Sequence, residues 1–367
     1  MKKIGIDARL YFQTGVGVYI RNLLYYLSNI NNKHVIYYIY ILKGDKENIK
    51  LPKNFIIRPV TSKWHTISEQ TIFLKEILKD RLDLMHFTYF SFPILYPKKF
   101  IATVHDTTLL HHKTGKASTK SPFLYNIKYI FFKYVFLKQI KKADIILTPT
   151  KTVKADIINL FGQDCSDKIH ITYEGVTHEF LNRKLIKKDN KQIKFNYLLY
   201  IGNFFPHKNV ESLIKAFLKL KTPLKLLLIG PDDYFSKRIR ELIINKNAGE
   251  KIILLKNVKI NDLPYYYKNA KAFIHASFSE GFGLPLIEAY HFKCPILASN
   301  ISTFKEILKD SYISFNPYDV LDIKQKIEEF LKNPKNNYNH LIMSRFSFKN
   351  MVFKTYSIYC KALNLSI

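Results

Sequence analysis

The stretch Ser279-Glu280-Gly281-Phe282-Gly283-Leu284-Pro285-Leu286-Ile287-Glu288-Ala289 decides how this chain is read. It sets a carboxylate before a two-glycine loop, then a proline suited to the start of a helix, then a second carboxylate expected in that helix's first turn. Residues 272–276 ahead of it space as a short buried strand, 286–292 as a helix, and 294–298 as the next strand. A strand, a glycine loop and a helix in that order leave backbone N–H groups free at the helix start, which makes an anion site. Glutamates on either side add acceptors for hydroxyls. The combination points to a ligand carrying both phosphate and sugar.

The same grammar occurs twice more. Residues 4–8 form a strand that runs into Thr14-Gly15-Val16-Gly17 and an amphipathic helix. This is half of a dinucleotide fingerprint, with Ile20 standing where the third glycine belongs. Residues 197–201 form a strand that runs into Gly202-Asn203-Phe204-Phe205-Pro206-His207-Lys208-Asn209, and Lys208 is expected just inside the helix that follows. A cation there is disfavoured by the helix dipole unless a diphosphate reverses the sign. Only 12 of the 367 residues are glycine, well under the usual roughly 7%. Gly15, Gly17, Gly202, Gly281 and Gly283 all fall in these three loops, as expected where backbone must approach a ligand.

Between the loops, strands at 35–42, 82–87, 100–105, 144–148 and 168–173 alternate with helices at 68–79 and 121–142. The strand at 100–105 ends in Thr103-Val104-His105-Asp106, polar residues at the edge where open α/β sheets bind ligands. In the helix at 121–142, Phe123, Leu124, Ile127, Ile130, Phe131 and Tyr134 are expected to face the core. Lys128, Lys133, Lys138, Lys141 and Lys142 would then lie on the other face, with Lys113, Lys116 and Lys120 just upstream. A polar, lysine-rich run at 181–196 separates this set from a second set of strand–helix units. The expected architecture is α/β: two Rossmann-like, doubly wound domains, 1–180 and 197–347, facing each other across a cleft. The last helix, 348–367, is expected to cross back to the first domain.

The net charge is +29, and only eight of the 58 basic residues are arginine. Abundant Lys, Ile, Asn, Tyr and Phe are also what an AT-biased genome produces, so two origins of the charge stay open. The functional one is attraction to a polyanion: a phosphorylated ligand, or an anionic membrane surface reached through Lys128, Lys133 and Lys138. Nucleic acid is not expected, because base-edge recognition favours arginine. Three scattered cysteines fit a reducing compartment and exclude a disulfide scaffold. The early lysines fit no secretory leader, and the chain has no long uncharged apolar run. A cytoplasmic protein is expected, with attachment at the inner face of the membrane as a second option.

Glu280 and Glu288 are separated by a loop and a helical turn, on the order of 10 Å. That span suits hydroxyls at the two ends of a nucleotide-sugar, with its diphosphate over the amides of Gly281, Phe282, Gly283 and Leu284. Two carboxylates of one continuous segment cannot flank a scissile bond as in a glycosidase. No D-x-D triplet or metal-spaced cluster occurs, so no metal is expected.

These stretches, with Tyr173-Glu174-Gly175-Val176 and the Glu280/Glu288 pair, resemble the retaining, nucleotide-sugar-dependent glycosyltransferases of the GT-B fold, family 4, nearly from end to end. The resemblance implies that Glu280 binds hydroxyls of the donor sugar and Glu288 those of the ribose. Lys208 would neutralise the leaving diphosphate, helped by the amides of Phe282, Gly283 and Leu284. His105 and Asp106 would stand on the acceptor side, and the Gly15–Gly17 turn would close over the phosphates. Where the family often carries arginine, this chain has Asn203 and His207. The Pro206–Asn209 and Tyr173–Val176 stretches look most like bacterial enzymes that build cell-surface polysaccharide, often mannosyltransferases, using GDP-mannose or a UDP-sugar and a glycan or lipid-linked acceptor. A nucleotide-sugar 2-epimerase of the same fold and a non-enzymatic polyanion- or membrane-binding protein are the alternatives.

Overall fold

Two all-parallel sheets organise the chain. The structure, a computed structural model, describes residues 1–30, 34–49, 51–111, 122–182, 193–335 and 338–366. The first sheet contains β1 (Lys2–Asp7), β2 (Val35–Leu42), β3 (Phe55–Val60), β4 (Leu84–Phe87), β5 (Phe100–Thr103), β6 (Ile145–Thr148) and β7 (Ile169–Ile171). Its spatial order is β3-β2-β1-β4-β5-β6-β7. The second contains β8 (Tyr197–Ile201), β9 (Lys225–Gly230), β10 (Ile252–Lys256), β11 (Ala272–His275), β12 (Ile296–Ser299) and β13 (Ile313–Phe315). Its order is β10-β9-β8-β11-β12-β13.

Runs such as Tyr-Leu-Leu-Tyr-Ile in β8 are buried along their whole length. That is the signature of a parallel strand covered on both faces. Strand order reverses beside β1 in the first sheet and beside β8 in the second, and such a switch point opens a crevice at the strands' carboxyl ends. Strands β3 and β13 were not anticipated from the sequence; β13 is three residues long and β3 carries Arg58 and Pro59. Several expected strands are trimmed, β4 starting at Leu84 and β5 stopping at Thr103.

The described residues group into two compact units, 1–111 with 122–174 and 347–366, and 175–346. The division falls after Glu174 rather than at 180, because Phe180 is buried against Phe292 of the second unit. Most of the expected linker, residues 183–192, lies outside the described residues, as do Lys113, Lys116 and Lys120. The C-terminal helix Phe348–Ala362 packs on the helix Val16–Ser28 and belongs to the first unit. Its Tyr359 hydroxyl meets Nδ1 of His86 in β4 at 2.5 Å.

The helix Pro122–Lys142 overturns an expectation. Its core-facing side chains are Val135, Phe136, Gln139 and Ile140, all buried. Ile127, Ile130, Phe131 and Tyr134, expected inside, are 50%, 68%, 41% and 49% exposed. Both faces of this helix are apolar, so periodicity alone selects neither. The side chains of Phe123 and Leu124 lie outside the described set. Among the described residues, no helix is long and apolar enough to cross a membrane.

Candidate functional site

Because β8 lies next to β11, the loops that leave their carboxyl ends are neighbours. The β8 loop carries Gly202 to Asn209 and the β11 loop carries Ser277 to Gly283. Backbone bonds tie them together: the Phe278 amide donates to the His207 carbonyl at 2.8 Å. Lys208 does not lie inside a helix start. It ends a 3-10 turn, Pro206–Lys208, and the helix Val210–Leu218 begins after Asn209, which adopts a left-handed conformation. The Asn209 side chain holds that bend by donating to the Pro317 carbonyl at 2.7 Å. Further back in the loop, the Tyr200 hydroxyl donates to the Asn203 carbonyl.

This geometry delivers the Lys208 ammonium to Glu280 Oε1 at 2.6 Å. The same oxygen accepts from the Ser277 hydroxyl at 2.7 Å and from His275 Nε2 at 3.0 Å. The Glu280 carbonyl accepts from Thr303 Oγ1 at 2.7 Å. Burial pushes the Glu280 carboxyl up, but Lys208, with His275 and His207, outweighs burial and holds it well below the usual carboxylate range. Burial dominates at His275, whose pKa is lowered against the pull of Glu280. With Nδ1 of His275 buried and without a hydrogen-bond partner among the described residues, a neutral ring donating through Nε2 is the form that fits.

The loop then turns through Gly283 at φ +92, where a Cβ would stand 2.9 Å from the Phe304 ring. Only glycine is comfortable there. The helix Leu284–His291 starts immediately, with Pro285 in its first turn. Glu288 is the fifth helical residue, in the second turn rather than the first. It is buried, and its Oε2 accepts from the Tyr267 hydroxyl at 2.8 Å. Burial pushes this carboxyl up to about 7; Glu179 adds to the rise and the Tyr267 hydroxyl opposes it.

In the first unit, His105 follows β5 at the corresponding edge. Its Nε2 lies 2.9 Å from the Thr88 carbonyl and its Nδ1 3.3 Å from Glu174 Oε1. The Tyr19 ring meets it edge-on at 4.8 Å between centroids. Behind Tyr19, a buried chain runs from its hydroxyl to Thr103 Oγ1 at 3.2 Å, and from Thr103 to His86 Nε2 at 2.7 Å. Burial pushes His86 down to about 3, so a neutral ring links Thr103 to Tyr359. Asp106 caps the short helix Thr108–His111 through the Thr108 amide at 2.9 Å. Gly17 sits where a Cβ would lie 2.6 Å from the Tyr11 carbonyl, so close packing against the chain's own backbone already requires glycine there. Gly15, at φ +65, has open space around it.

The structure therefore brings Lys208, Glu280 and the Gly281–Leu284 loop together at one switch point, with Gly202, Asn203 and His207 on the adjoining loop. His105 and Asp106 belong to the first unit. Sequence reasoning missed His275, Ser277 and Thr303 around Glu280, Tyr267 beside Glu288, and Glu174 beside His105. His275 and Ser277 left a signal as polar residues at the end of a buried strand, immediately before the loop, and Glu174 lies in the Tyr173–Val176 stretch that carries part of the resemblance. Among the described residues, no group of three or more His, Cys, Asp or Glu side chains could hold a metal ion.

Comparison with known proteins agrees with this architecture. A profile described as Glycosyltransferase Family 4 matches residues 13–180, and one described as Glycosyl transferases group 1 matches residues 182–343. The O-antigen chain mannosyltransferase RfbU of Salmonella typhimurium is 30% identical over 261 residues, covering 69% of this chain and 71% of that protein. Among solved structures, sucrose-phosphate synthase from Thermosynechococcus elongatus superposes with a TM-score of 0.79 at 17% identity, covering all of both chains. HepE from Anabaena, in complex with UDP-glucose, superposes at 0.74 with 12% identity, covering 98% of this chain and all of that one. Two parallel-sheet domains, loops converging at a switch point, and a relative at this identity and coverage lead to one assignment: the chain belongs to the family 4, group 1 glycosyltransferases and has the GT-B fold.

Proposed function

We propose that the protein transfers a hexose, with retention at the anomeric carbon, from GDP-mannose or a UDP-sugar to a glycan or lipid-linked acceptor in cell-surface polysaccharide synthesis. The observation that carries this reading is the Lys208–Glu280 pair on adjoining loops, at the switch point of the second sheet. All three donors to Glu280 reach Oε1, and Oε2 makes no hydrogen bond among the described residues. Oε2 is thus the acceptor for hydroxyls of the donor sugar. Lys208 is the cation for the diphosphate, and amides of the Gly281–Leu284 loop complete its cradle.

In the step proposed, the bond from C1 to the phosphate oxygen breaks. The acceptor oxygen bonds C1 on the same face, and the departing phosphate oxygen takes the acceptor's proton. The residues stabilise the leaving group and orient the sugar, so neither a protein nucleophile nor a metal is required. Glu288 binds the ribose hydroxyls, and His105 and Asp106 serve the acceptor side. The mannosyl and O-antigen parts of the reading rest on the relative RfbU, and the nucleoside diphosphate part is supported by the HepE complex with UDP-glucose.

The test is a transfer assay with and without a chelator, on Glu280→Gln and Lys208→Ala. Each is expected to lower kcat/KM by about a hundred- to a thousandfold, with folding checked by circular dichroism and wild-type turnover indifferent to the chelator. Near-normal turnover in both variants overturns the site, and loss of wild-type turnover with the chelator overturns the metal-free reading.

A further inference from the structure

The solvent face of the helix Pro122–Lys142 is not what a water-facing surface needs. Ile127, Ile130, Phe131 and Tyr134 recur at i, i+3, i+4 and i+7, so they form one stripe, and each is at least 41% exposed. The opposite side, Val135, Phe136 and Ile140, already serves the core. The outward stripe is therefore unused by the fold. A contiguous exposed apolar patch of this kind marks an interaction surface.

Charge identifies the occupant. Residues 122–142 contain five lysines and no acidic residue. Lys138 continues the stripe one turn beyond Tyr134, its ammonium 5.3 Å from the centre of that ring. A two-fold pairing with a second copy would set lysines against lysines around the apolar stripe. An anionic bilayer has no such conflict. Ile127, Ile130 and Phe131 enter the boundary between headgroups and acyl chains, Tyr134 sits at headgroup level, and the lysines reach lipid phosphates. We propose that this helix face docks the protein on an anionic lipid surface. The proposal is independent of the donor chemistry.

The experiment is sedimentation of the full chain with phosphatidylcholine vesicles, with and without phosphatidylglycerol, at low and high salt. Wild type is expected to bind only the anionic vesicles. Ile130→Asp/Phe131→Asp should lower partitioning at least about tenfold at either salt. Reversal of Lys133 and Lys138 to Glu should lower it about fivefold or more per lysine at low salt only. Melting temperature and donor binding control for folding. Should the Asp variant melt early, Phe131→Trp decides: its emission is expected to shift to the blue with anionic vesicles alone. Equal binding by the Asp variant, no binding of wild type to anionic vesicles, an unmoved emission, or a solution dimer that the Asp variant disperses would each overturn the proposal.

Discussion

Glu280 and Glu288 belong to one loop and helix, are both buried, and are driven in opposite directions. Three donors converge on a single oxygen of Glu280, one of them a cation, and the charge is stable before any ligand arrives. Glu288 meets one hydroxyl and a neighbouring negative charge, and sits poised to gain or lose its proton near neutrality. Burial alone therefore does not decide a carboxylate's state; the cation within reach does. In the proposed role the first is preorganised for a sugar at the cost of tying up Lys208. The second stays adjustable, and a ribose hydroxyl would complete its solvation.

Removing the cation should erase the difference. Lys208→Ala leaves Glu280 buried beside neutral donors and is expected to destabilise the fold by about 3 kcal/mol in urea titration. Lys208→Ala/Glu280→Gln should regain most of that loss while remaining inactive. Failure of the double variant to recover would show that the lysine stabilises by packing rather than by charge.

The pH dependence sharpens the contrast. Glu288 has a folded pKa of about 7 against an ordinary 4.5, so its stabilising contribution is complete below the unfolded value and is lost as pH rises through 7. The loss is on the order of 3 kcal/mol between pH 4.5 and 8. Glu288→Gln should remove that slope and exceed wild type in stability at pH 8, while raising the donor KM. Parallel unfolding curves for the two proteins across this range would refute the assignment. Glu280 behaves oppositely: its depressed pKa contributes stability that is lost only on acidification.

The smallest effect is expected at Tyr267. Tyr267→Phe removes the hydroxyl on Glu288, costs about 1 kcal/mol, and moves the midpoint of the donor KM against pH upward. An unmoved midpoint would place the titration elsewhere.

What the sequence disclosed follows from how local each signal is. The glycine loop, Pro285 and the two glutamates are neighbours in the chain, and their succession of strand, loop and helix could be read without knowing the packing. The grip of Lys208 on Glu280 spans 72 residues and that of His105 on Glu174 spans 69, so both depend on strand order. Strand β13 is too short to show a period. The helix Pro122–Lys142 misled because apolar residues occupy both of its faces, and only the packing of Val135 and Phe136 tells which is inner. Gly17 is ambiguous from sequence for another reason, since crowding by the Tyr11 carbonyl selects glycine as strictly as a phosphate would.

The contact between His86 and Tyr359 also fixes an order of events in the cell. The two residues are 273 positions apart, with the entire second unit between them in the chain. At synthesis rates of about 5–20 residues per second, His86 leaves the ribosome roughly 15–55 s before the hydroxyl that completes its pair. The domain that begins first therefore finishes last, and a chain truncated before Phe348 would leave its first unit without its last helix after the second is complete.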